Sequence, residues 1–66
     1  MRDPRRIGKL CERLAAAWRY VPDMRLGQLM IDVFTLIKGR DPFYIEDDEM
    51  IELVEKFCKD NTPYKM

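Results

Sequence analysis

Three stretches of the chain repeat apolar residues at spacings of three and four, and each predicts an amphipathic helix with its own boundaries. In the first, Ile7, Leu10, Cys11, Leu14, Trp18 and Val21 form one stripe. Asp3 is placed to cap the free amides and Pro4 takes the first helical position, where its missing N–H costs nothing. Val21 precedes Pro22, which disfavours helical backbone, so the first helix is predicted over 4–20. In the second, Leu26, Leu29, Met30, Val33, Phe34, Leu36 and Ile37 span a wide arc, with Asp23 as N-cap and Gly39 as the left-handed terminator. This helix, 24–38, reads as the central and most buried one. In the third, Met50, Ile51, Leu53, Val54, Phe57 and Cys58 predict a helix over 47–59, with Asp47, Asp48 and Glu49 at the positive end of its dipole.

Between the second and third helices, Asp41-Pro42 starts a turn, and Phe43, Tyr44 and Ile45 follow. Three such apolar side chains predict a loop that folds back and covers the core between the first two helices. Gly27 disfavours helix in the first turn of the second one, which predicts another backbone close by. Ile31 falls outside the apolar arc, beside Thr35 and Lys38, and is a candidate for an interface. The pattern gives an all-α fold, a small three-helix domain over 1–60 with an aromatic-containing loop, followed by a mobile tail at 61–66.

At 66 residues the chain holds one domain with a modest core, since a chain of this size buries only about 60% of its unfolded surface. No apolar run is long enough for a signal peptide or membrane span. Two cysteines without a secretion signal place the chain in the reducing cytoplasm, and both Cys11 and Cys58 read as core residues. The net charge is zero, but its distribution is uneven. Residues 1–20 carry six basic and two acidic side chains, residues 41–66 eight acidic and three basic ones. Lys9 and Arg13 form a like-charge i,i+4 pair, which predicts an acidic surface facing them. Within the third helix, Glu52/Lys56 and Glu55/Lys59 are spaced for ion pairs.

The chain contains no histidine, no nucleophile beside a base and no phosphate-binding loop, so no catalytic residue and no cofactor are expected. Asp41 to Glu49 lack the alternating oxygen ligands and mid-loop glycine of a calcium loop, which removes a metal site from the expectations. Three helices invite comparison with DNA-binding modules, yet the helix in the recognition position is acidic and repels phosphate. Only the basic face of the first helix is suited to nucleic acid. A nucleotide is a sharper alternative, because Arg19, Arg25 and Arg40 lie near Tyr20, Phe43 and Tyr44 around the two helix boundaries, and arginine with aromatic rings clasps phosphate and base.

Trp18, then Pro22-Asp23-Met24-Arg25-Leu26-Gly27-Gln28-Leu29, then Phe43-Tyr44-Ile45-Glu46-Asp47 resembles a family of short bacterial and phage proteins built on a tryptophan, a P-D-x-R-x-G-Q-L element and an F-Y-x-E-D element. The resemblance spans roughly 7–57. It implies a bacterial or phage origin and no particular activity, with phage counter-defence as one setting for such proteins. Its polar motif positions are Arg25, Gln28, Tyr44, Glu46 and Asp47, where Gln28 also suits a turn and Asp47 a helix cap. The expected function is a non-enzymatic binding or regulatory module acting through an unknown protein partner, with self-association through Ile31. Binding of an anionic ligand, nucleotide or nucleic acid, is the alternative.

Overall fold

In the computed structural model, residues 2–63 are described; the part of the expected mobile tail at 64–66 lies outside them. Among the described residues the fold is all-α: α1 (Arg6–Trp18), α2 (Leu26–Phe34), α3 (Asp47–Asp60), and two short 3-10 turns, Thr35–Ile37 and Pro42–Tyr44.

Each predicted helix is present, with different ends. Before α1, the chain makes a lead-in turn: Asp3 Oδ1 accepts from the Arg5 amide at 2.9 Å, and the Asp3 carbonyl accepts from the Arg6 amide at 3.2 Å. Asp3 therefore caps this turn, two residues ahead of the N-cap position, which falls to Arg5. At its far end α1 tightens, with Tyr20 N–H bonded to the Ala17 carbonyl and Val21 N–H to the Trp18 carbonyl, before Pro22 ends it. The indole Nε1 of Trp18 donates to the Met24 carbonyl at 2.9 Å and fixes the α1–α2 corner.

Asp23 does not cap α2. Residues Val21 to Met24 form their own turn, closed by the Met24 amide on the Val21 carbonyl, which moves the cap to Arg25. There Gln28 Oε1 accepts from the Arg25 amide at 2.8 Å, half of a capping box, since a guanidinium has no acceptor to complete it. Gly39 adopts positive φ at +79°, and Lys38 precedes it at +30°. The last turn before them winds as 3-10, which rotates Leu36 out of the apolar stripe and leaves it exposed.

The core consists of Ala17, Val21, Leu29, Val33, Ile51, Val54 and Cys58, all buried, with Leu10, Leu14, Trp18 and Met30 among the half-buried residues packed around it. Contrary to the reading of α2 as the central helix, the principal helix pair is α1 with α3. Only Leu29, Val33 and, beyond the α-helical part, Ile37 of the second stripe are buried, while Leu26 and Phe34 are exposed. Cys11 is exposed rather than core, because it sits at the edge of the α1 stripe, whose packed centre is Leu10, Leu14 and the small Ala17. Gly27 has no backbone near it: a Cβ there meets nothing within 4 Å. Asn61, assigned to the tail, instead closes α3, its Nδ2 donating to the Phe57 carbonyl at 2.8 Å.

Candidate functional site

The connection between α2 and α3 departs most from the pattern-based expectation. Instead of covering the core, Phe43 and Tyr44 are 82% and 77% exposed. Local chemistry explains this. Pro42 fixes the first position of the 3-10 turn, Asp41 Oδ1 accepts from the Phe43 amide at 2.9 Å, and the Tyr44 amide bonds the Asp41 carbonyl at 3.0 Å. Arg40 and Glu49 join in a bidentate ion pair, one arm of which measures 2.9 Å, and so tie the base of the connection to α3. The connection crosses by this short braced route, and only Ile45 of its three apolar residues is half-buried. The two rings meet edge to face, with centroids 4.9 Å apart and planes at 76°. Two large rings thus stand in water on a turn whose backbone is held from both ends.

The acidic surface expected opposite the basic face of α1 is α3. Arg2 pairs with Glu46 at 3.1 Å, Arg6 Nε with Asp47 at 2.7 Å, and Arg13 with both oxygens of Glu55 at 2.9 and 2.6 Å. The uneven charge along the sequence is largely folded onto itself. Asp47 is consequently the partner of Arg6 and not a cap, and Glu46 occupies the cap position without a side-chain cap bond. Glu55 is taken by Arg13, which displaces the expected Glu55/Lys59 pair, and Lys56 lies 3.9 Å from Asp60 where Glu52 was expected. These contacts leave a titration signature. The Arg13 guanidinium holds the Glu55 carboxyl below the usual range, Arg40 does the same to Glu49, and Arg5 to Asp3. Burial pushes the Cys58 thiol up.

The proposed clasp of arginines and aromatics is not assembled. Arg40 is committed to Glu49, and Arg19 lies in an open cleft with Ala15, Trp18 and Pro22. Tyr20 is exposed at the α1–α2 corner, as is Arg25, whose backbone N–H is held by Gln28 and whose guanidinium has no carboxylate among the described residues. Ile31 is 64% exposed and shares an outer cleft of α2 with Met24, Gly27, Gln28 and Asp32. A second, apolar groove of about 210 Å³ runs where the helices meet, lined by Leu10, Cys11, Leu14, Met30 and Met50 among others. Among the described residues no group of three or more Cys, Asp or Glu is placed to hold a metal ion, and no helix is long and apolar enough to cross a membrane.

Of the sequence-predicted positions, Arg40, Glu46 and Asp47 serve ion pairs and Gln28 a helix start. Tyr44 and Ile31 stand free on the surface. Phe43, which its hydrophobicity assigned to the core, belongs with Tyr44; the Asp-Pro pair two residues earlier was the signal, because it specifies a short self-satisfied turn instead of a loop that folds inward. No protein-family model, curated protein or solved structure matches the chain.

Proposed function

We propose that the chain is a non-enzymatic binding module of the cytoplasm that engages a protein partner through the Phe43–Tyr44 turn. The bacterial or phage setting implied by the sequence motif belongs to the same reading. One observation carries it: two adjacent aromatic rings, 82% and 77% exposed, are presented on a braced turn. Exposed aromatic surface is unfavourable in water, and aromatic anchors near the centre of an interface supply much of its binding energy. A rigid turn loses little conformational freedom on docking, which favours binding further.

Internal pairing works against the nucleic-acid and nucleotide alternative, since Arg2, Arg6, Arg13 and Arg40 each hold a carboxylate of the same chain. A phosphate ligand has to displace those carboxylates first.

Affinity capture from the cells that make the protein tests the reading, with the wild type and a Phe43→Ala/Tyr44→Ala variant run in parallel. The variant is expected to keep its helical circular dichroism, because neither ring is in the core, and to lose a partner that the wild type retains. Identical captured proteins from both chains would contradict the proposal.

A further inference from the structure

The outer face of α2 carries features that the aromatic turn does not use. Gly27, Gln28 and Ile31 follow one another at spacings of one and three along one side of α2, and with Asp32 and with Met24 of the preceding turn they line an open cleft of about 540 Å³. Ile31 projects from this side, and one turn earlier Gly27 leaves a gap in it, with nothing beyond its chain neighbours and the local helix backbone within 4 Å of where a Cβ would stand. Beside these residues lie two opposite charges. Arg25, the extended N-cap residue of α2, and Asp32 are seven residues apart, nearly two turns, so their Cα positions fall on the same side of the helix about 10 Å from each other along its axis. That distance keeps them from pairing within one chain, and neither side chain has an ionic partner among the described residues.

We infer that this face pairs with a second copy of the chain, α2 against α2 in antiparallel orientation about a two-fold axis centred between Gln28 and Leu29. The inference names the partner of one further surface, resting on the reading of the chain as a protein-contact module. Self-complementarity selects the register. Arg25 and Asp32 are equidistant from that centre, and a two-fold axis normal to an antiparallel helix pair keeps each on the same side of the interface. Arg25 of each copy therefore meets Asp32 of the other, which makes two symmetric ion pairs. In the same register, Ile31 of each copy comes level with Gly27 of the other to within about one residue's rise, about 1.5 Å, so the projecting side chain seats in the gap. An interface one short helix wide is below the size of stable dimers, so association is weak and appears only at high concentration.

Sedimentation equilibrium from about 10 µM to 1 mM tests the register with charge exchange. Wild-type chain is expected to show a reversible monomer–dimer equilibrium that weakens with salt. Arg25→Asp or Asp32→Arg alone should weaken it about tenfold, because each turns two attractions into two repulsions. The Arg25→Asp/Asp32→Arg double variant should recover the wild-type equilibrium, and mixing the two single variants should produce heterodimers, since opposite charges again face each other at both sites. A monomer throughout the range, or single variants that associate as the wild type does, would overturn the inference. Because Phe43 and Tyr44 are unchanged in every variant, partner capture by the monomeric ones separates failure of this interface from failure of the aromatic-turn proposal.

Discussion

Cys11 and Cys58 occupy equivalent positions in the sequence pattern, yet the fold treats them oppositely. Cys58 is fully buried, and desolvation raises its thiol pKa, whereas Cys11 lies exposed at the edge of the apolar groove. A thiol-specific reagent at pH 8 is therefore expected to modify Cys11 rapidly and Cys58 only on unfolding, as mass spectrometry of the labelled peptides would reveal. Equal rates at both would contradict the packing of α3. Gly27 yields a second expectation at this scale. Its helical backbone and open surroundings remove the steric reason for glycine, so Gly27→Ala should raise stability by about 0.5–1 kcal/mol, roughly 2–8 °C in Tm, at concentrations where the chain is monomeric. Loss of stability would show a close neighbour that the fold does not contain.

Helix existence was legible at the level of elements because three periodic stripes are long enough to outweigh local ambiguity, and because Pro22 and Gly39 punctuate the gaps. Starts were less legible. Asp23 is a better cap residue than Arg25, but the Val21–Met24 turn consumes it, and Gln28 serves instead from inside the helix. Hydrophobicity alone misplaced Phe43 and Tyr44, since it cannot tell a core residue from one displayed on a self-satisfied turn. Of the candidate site, the prominence of Ile31 and the acidic counterpart to Arg6 and Arg13 could be read in advance; the commitment of Arg40 to Glu49 could not, because it depends on how the connection closes in space.

Across the whole molecule, the pairs Arg2–Glu46, Arg6–Asp47 and Arg13–Glu55 bind the basic amino-terminal helix to the acidic carboxy-terminal one. Glu49, Glu55 and Asp3 have native pKa values below their ordinary ones, with arginine the leading cause in each case. Groups shifted in this direction contribute stability above the unfolded carboxylate pKa, and the contribution disappears as pH falls through the lowered native values. Thermal stability is thus expected to be flat near neutrality and to decline below about pH 4.3, with a smaller decline at high salt, where the exposed pairs are already screened. A melting temperature unchanged down to pH 2 would argue that these pairs contribute nothing. With the charges joined internally and the core closed by Leu29, Val33 and Cys58, Phe43 and Tyr44 are the most exposed large hydrophobic side chains among the described residues. Photocross-linking in the producing cells addresses their role directly, with a photoreactive phenylalanine placed at position 43 in one chain and at the exposed position 56 in another. A specific adduct to one partner protein from position 43 and none from position 56 is the expected result; adducts of equal yield from both positions, or none from 43, would contradict a partner-binding role for the Phe43–Tyr44 turn.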